Sequence, residues 1–186
     1  MNSSSIMLPV TERWAQVGPK KKNWLINIPR GGICISAFVI ASTGKSILLG
    51  LPHANKHWPE DGGEPLWRAR EMEKKKSWML PATHMLIGES PDDAAARIAN
   101  EFTGLKGEPK FSMVQSHTRP ANVWWKTMRH IVHWDLCFVY DLKIDRVPIR
   151  LKPWWKELRL FSREQIPSMN VGRGHLDILR EGGYVR

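Results

Sequence analysis

The sequence predicts an α+β fold built as one domain, and three observations predict it. Two apolar, β-branched runs at 32–40 and 46–50 flank the turn signal Ser42-Thr43-Gly44-Lys45, which reads as a hairpin. The stretch His130–Lys143 holds Ile131, Val132, Trp134, Leu136, Cys137, Phe138, Val139 and Tyr140, the strongest strand signal in the chain. Between them, Ala95, Ile98, Ala99 and Phe102 recur at one-turn spacing, the mark of an amphipathic helix.

Taken in order, residues 1–30 form a polar, basic N-terminal extension, and residues 31–186 form the domain. After the hairpin, 52–73 contains Gly62-Gly63-Glu64-Pro65 and reads as a long loop over a cleft, carrying His53 and His57. Lys74 to Leu80 reads as a short strand. Ser90 is an N-cap with Pro91 at the first helical position, Asp92 and Asp93 sit where the helix dipole favours negative charge, and Gly104 ends the helix. Lys110 to Gln115 and His130 to Lys143 follow as strands. Ser162 to Ile166 reads as a turn opening a helix, and Gly174 to Arg180 as a closing amphipathic helix.

With 186 residues and 42% hydrophobic content, one domain can bury an ample core. No apolar run is long enough to span a bilayer, and the N-terminus lacks the charged-then-apolar order of a signal peptide, so a cytoplasmic protein that does not enter membranes is expected. Cys34 and Cys137 lie in apolar strand-like runs without metal-ligand spacing and read as reduced core residues.

The passage Leu80–Leu105, LPATHMLIGESPDDAAARIANEFTGL, resembles the Nudix box, G-x5-E-x7-R-E-U-x-E-E-x-G-U with U aliphatic. Glu89 takes the first glutamate, Arg97 the arginine, Ala99 the small apolar position, Glu101 the first paired glutamate, and Gly104 and Leu105 the end. Trp78 and Pro81 correspond to the strand entering the box. Pro81-Ala82-Thr83 replaces the usual Pro-Gly-Gly, Ile98 replaces the glutamate after the arginine, and Phe102 replaces the second paired glutamate. The resemblance covers about Gly31 to Arg180 and implies an α/β/α sandwich around a mixed central sheet. The long loop before the box and the ending 157–179 are similar to the GDP-mannose hydrolase branch, which tolerates a box lacking several glutamates.

In that family, helix carboxylates hold Mg2+ or Mn2+ against a diphosphate and position a water. Ile98 and Phe102 offer no oxygen, and losing one such ligand removes roughly 3–5 kcal/mol of transition-state stabilisation, about two to four powers of ten in rate. Asp92 and Asp93 lie about 12–14 Å along the helix from Glu101 and cannot share its cation. In the family a further carboxylate often arrives from a late loop just before the last strand, a region that 156–161 resembles, so the metal set implied by the resemblance is Glu89, Glu101 and Glu157. The catalytic set is Glu101, Glu157, Arg97 and His84; His84 follows the altered glycine pair and is placed to contact a phosphate or assist proton transfer. A surface or cap-supporting Glu–Arg pair and a structural histidine are the plain alternatives.

A net charge of +10 points to an anionic partner. Lys20-Lys21-Lys22 and Lys74-Lys75-Lys76 lie near Trp14, Trp24, Trp67 and Trp78, and cations beside aromatics hold nucleotides or single-stranded RNA. A solvated basic face is the plain alternative. The pairs Trp124-Trp125 and Trp154-Trp155 should point to opposite faces of extended chain, so one ring of each is available for stacking or for packing. Lys76, Trp124, Trp125 and Trp155 are the expected substrate contacts. His130 and His133, three apart in a strand, cannot ligate one ion without a bulge.

The expected function is hydrolysis of a nucleoside-diphosphate-linked small molecule at a degenerate metal site. The alternatives are a catalytically inactive protein that binds a nucleotide in the same pocket, and an RNA-associated protein working through its basic surface. A homodimer is a further expectation from the resemblance.

Overall fold

The computed structural model describes residues 33–59, 66–120, 132–147 and 150–186. Its elements are β1 (Ile33–Ser42), β2 (Ser46–Pro52), α1 (Leu66–Lys74), β3 (Ala82–His84), α2 (Pro91–Arg97), β4 (Lys110–Pro120), β5 (Val132–Lys143), β6 (Trp155–Ser162) and α3 (His175–Glu181). A π-helical turn, Ile98–Thr103, extends α2, and a 3-10 turn spans Ile166–Ser168.

The hairpin, the box helix, both later strands and the closing helix stand where the sequence places them. The sheet runs β4-β5-β1-β2-β6, with β3 pairing β1 off this path. β1 pairs β5 in parallel along its whole length, from Ile33↔Trp134 to Ser42↔Lys143, while β2, β3 and β6 pair antiparallel to their neighbours, so the sheet is mixed.

The continuous buried apolar stretch Ala37–Ala41 of β1 is explained by its two covered faces. Ala37, Val39 and Ala41 join the core under α2 with Ala94, Ala95 and Ile98. Phe38 and Ile40 join the core under α3 with Ile178 and Leu179. Strand alternation thus feeds two cores, and the molecule is an α/β/α sandwich. Neither Cys34 nor Cys137 is in a disulfide, and both are buried. No helix of the described residues is long and apolar enough to cross a membrane.

Three expectations need correction. The 52–73 segment is not all loop: its end forms α1, which buries only Ala69 and Met72, too few apolar positions to show helical periodicity against the Gly-Gly and Pro signals before it. Glu73 ties α1 down, accepting from Ala54 N–H at 3.0 Å and contacting His53 Nδ1 at 3.1 Å and Lys156 Nζ at 3.3 Å. Residues 74–80 are not a strand: Lys76 takes a left-handed turn (φ 51°), Met79 and Trp78 make single bridges to Gly50 and Val171, and β3 begins only at Ala82. The region around Glu157 is strand β6 and not a loop, paired residue by residue with β2.

Candidate functional site

The box begins where β3 leaves the sheet beside β1, with Met85 N–H on the Ile35 carbonyl at 2.9 Å. Glu89 closes the loop that follows: its Oε2 accepts Leu86 N–H at 2.9 Å and its N–H donates to the Leu86 carbonyl at 3.0 Å. Ser90 then caps α2, its Oγ accepting Asp93 N–H at 3.1 Å, with Pro91 at the first helical position. A short extended cap followed by proline is what starts the helix there.

From the last turn of α2, Arg97 reaches back to this loop. Nε meets Glu89 Oε1 at 2.7 Å and Nη2 meets Oε2 at 2.9 Å, a two-pronged ion pair, while Nη2 also donates to the His84 carbonyl at 3.1 Å. Both side chains are only 11% exposed. Burial pushes the Glu89 carboxyl up, but the Arg97 hydrogen bonds, the Leu86 N–H and the Arg97 charge outweigh it and hold the group below the usual carboxylate range. A guanidinium fork on a carboxylate fixes direction as well as distance. Glu89, Arg97 and the backbone carbonyl of His84 therefore come together as a brace joining β3, the loop and α2.

Beyond Arg97 the helix widens. The Ala99 carbonyl receives Thr103 Oγ1 at 2.6 Å, Leu105 N–H at 2.8 Å and the Gly104 N–H, with Gly104 in the left-handed conformation (φ 76°) that only glycine adopts without strain. The wide turn sends Ile98, Ala99, Phe102 and Thr103 into the core and leaves Glu101 exposed.

Phe102 is part of an aromatic cluster that the sequence does not announce. Its ring stacks on Trp154 (centroids 5.9 Å apart, planes at 17°) and meets Trp155 edge-on at 5.0 Å. Its carbonyl accepts both indole N–H groups, each at 2.8 Å. Trp155 is 3% exposed, so it is a core residue and not a stacking surface, and the two neighbouring tryptophans converge on one atom instead of facing apart. The reason is that Trp154 lies in the turn before β6, where strand alternation does not apply. A signal for this existed: Gly50 sits in an otherwise apolar strand, and a Cβ there would collide with the Trp155 ring.

Glu157 lies elsewhere. Leu158 packs with the core under α2 and Leu160 packs against it. Glu157 pairs with Arg159 at 2.5 Å, and the Arg159 guanidinium lies over Trp78 and Phe161, which pack against the α3-side core. The period of two in β6 thus puts Glu157 on the sheet face away from the box helix. Glu89, Glu101 and Glu157 are not gathered, and among the described residues no three His, Cys, Asp or Glu side chains converge as metal ligands. With Glu89 gripped by Arg97 and the positions of Ile98 and Phe102 apolar, the donor set present does not fit the cation site that the fold family implies.

Lys76 is exposed in the turn after α1. Nearby Trp78 packs edge-on against Phe161 at 4.6 Å beneath Arg159 and is not an open stacking ring, whereas Trp67, on the helix leading into this lysine run, is 48% exposed. Trp124, Trp125, His130 and the basic run 20–22 lie outside the described residues, as does the His133 side chain.

Solved structures share this fold. A MutT protein from Methanosarcina mazei Go1 aligns with a TM-score of 0.56 at 16% identity, over 86% of this chain and 96% of that one. A NUDIX hydrolase from Nitrosomonas europaea gives 0.52 at 16%, over 81% and 88%. A bifunctional NMN adenylyltransferase/ADP ribose pyrophosphatase from Francisella tularensis gives 0.50 at 14%, over 82% of this chain and 42% of that longer one. The fold is that of Nudix hydrolases. No protein-family model and no curated protein sequence matches the chain.

Proposed function

We propose that this chain binds a nucleotide or nucleoside-diphosphate-linked small molecule in the cleft beside its box helix, without ordinary multi-cation hydrolysis. The observation carrying this reading is Phe102: ring and carbonyl are both engaged by Trp154 and Trp155 where the box pattern has a paired glutamate, so the exposed Glu101 is the one carboxylate left at the helix's paired positions. One carboxylate leaves too little negative charge to hold two cations beside a diphosphate. A net charge of +10 and the nucleotide chemistry named for proteins of this fold support an anionic, nucleotide-type ligand.

A second reading is a slow hydrolase assisted by Mg2+ or Mn2+, favoured by the intact Arg97–Glu89 brace and the exposure of Glu101. In it Glu101 is the acid–base or cation-facing group, and His84 and Arg97 shape the loop around the diphosphate. One experiment separates the two: binding and product release from nucleoside triphosphates, dinucleoside polyphosphates and nucleotide sugars, with Mg2+, Mn2+ or chelator, run beside Glu101→Gln. Saturable binding without turnover supports the first reading. Metal-dependent turnover lost in Glu101→Gln establishes the second, and neither binding nor turnover overturns both.

A further inference from the structure

At the other end of β1 from the brace, a groove of about 870 Å3 opens between the β1–β2 turn (Ser42, Thr43, Gly44), the end of β5 (Asp141, Lys143), Arg163 and the C-terminal Gly183-Tyr184. Its volume is that of a small-molecule site. Ile35 touches the box loop and Ser42 lines the groove, so the two lie about 23 Å apart along a strand rising roughly 3.3 Å per residue. The groove is a separate place on the protein from the box loop and helix.

Its charges are unequally matched. The Tyr184 hydroxyl is held by Ser112 Oγ at 3.0 Å and by Asp141, which engages that carboxylate. Arg163 lies over the Tyr184 ring at 5.9 Å and donates through Nη1 to the Tyr184 carbonyl at 3.2 Å. Among the described residues its guanidinium makes no direct ion pair, although, with a backbone hydrogen bond, its charge helps hold the neighbouring Glu164 carboxyl below the usual range, and its Nε is buried without a hydrogen bond. Lys143 on the same rim is exposed and makes no ion pair among the described residues. A buried N–H left without a partner is unfavourable, and a shift of the Arg163 side chain that brings Nε and Nη2 into a two-pronged contact with a tetrahedral oxyanion would relieve it. Lys143 would add a second, point-like charge.

The acids narrow the ligand class. Asp145 shares the wall with Asp141 and would repel a polyanion, but it can accept a hydroxyl from a neutral body. Met113 and Ile144 add apolar surface to the same wall. We propose that this groove is a second ligand site, taking a phosphomonoester of a small hydroxyl-bearing molecule, with the phosphate on Arg163 and Lys143 and the hydroxyls toward Asp145. This site stands independently of what the box cleft binds.

The test is an amide-shift titration of the whole protein with ribose 5-phosphate, with ribose and with sodium sulfate at constant ionic strength. Saturable shifts of Gly44, Lys143 and Gly183 with ribose 5-phosphate are expected, with none from ribose and weaker binding of sulfate. Affinity should fall about tenfold or more in Arg163→Gln, recover in part in Arg163→Lys, and fall about threefold to tenfold in Lys143→Gln, while Glu101→Gln leaves it unchanged. If Arg163→Gln does not fold, the Lys143→Gln result decides. Shifts that do not saturate, shifts centred on residues 84–101, equal binding of sulfate, or unchanged affinity in the Lys143 and Arg163 variants would each overturn the proposal.

Discussion

Arg97 grips both oxygens of Glu89 across eight residues of chain, at 2.7 and 2.9 Å, and with the same guanidinium holds the His84 carbonyl. One arginine therefore fixes the end of β3, the loop and the helix to each other. Glu89→Gln keeps the shape but leaves a largely buried guanidinium with a weakened partner, and a loss of about 2 kcal/mol in urea unfolding is expected.

The same pair sets an acid dependence. Because the folded Glu89 carboxyl titrates below its unfolded value near 4.3, its contribution is fully present above that value and is lost as pH falls through the lower, folded one. Stability measured from neutral pH down to about pH 3 should drop less steeply in Glu89→Gln than in the parent protein. Parallel curves would show that the ion pair adds nothing.

Restoring the missing box glutamate should not restore a site. Phe102→Glu buries a carboxylate between two indole rings, and a loss of stability of about 3 kcal/mol or more is expected, with no gain in Mg2+-dependent phosphate release. A stable, more active Phe102→Glu would mean that the aromatic cluster opens readily.

Gly50 and Trp155 should be coupled energetically. Gly50→Ala forces a methyl into the Trp155 ring and should cost about 3 kcal/mol, while adding Trp155→Leu should recover about 1 kcal/mol or more of the Gly50→Ala effect in a double-mutant cycle. Additive effects would place the strain elsewhere.

Alkaline titration offers a readout from a chain with two tyrosines. Burial raises the Tyr184 hydroxyl first, Ser112 opposes, and Asp141 adds to the rise, to about 12. Tyr140, buried and donating to Asp92 Oδ1 at 2.5 Å, is raised further. Tyrosinate absorbance should be nearly absent at about pH 10, where free tyrosine is half ionised. The stability contributed by the neutral Tyr184 is complete below about pH 10 and disappears as pH rises through its folded value.

How far the sequence could be read depended on the range of the forces involved. The helix from Ser90 to Gly104 was legible because caps, proline and the left-handed glycine act within one turn. The β1–β2 hairpin was legible because two apolar runs flank a local turn signal, Ser42-Thr43-Gly44-Lys45. The side of the sheet taken by Glu157 was not, because a strand's face is set by its register, here Leu51↔Glu157, with a shift between Leu51 and Pro52. Nor was the wide turn at Ile98–Thr103, which depends on how Phe102 meets tryptophans more than fifty residues later.

The parallel pairing of β1 with β5 joins residues roughly a hundred apart in the chain, a contact order that makes folding slow. A ribosome releases β1, β2 and the box helix well before β5 exists. Until then the apolar edge of β1 has no lasting cover, and the growing chain is most exposed to misassociation during that interval. Chains ending before residue 132 should accordingly be recovered as aggregates, whereas full-length chains refolded from denaturant should regain their structure without a partner protein.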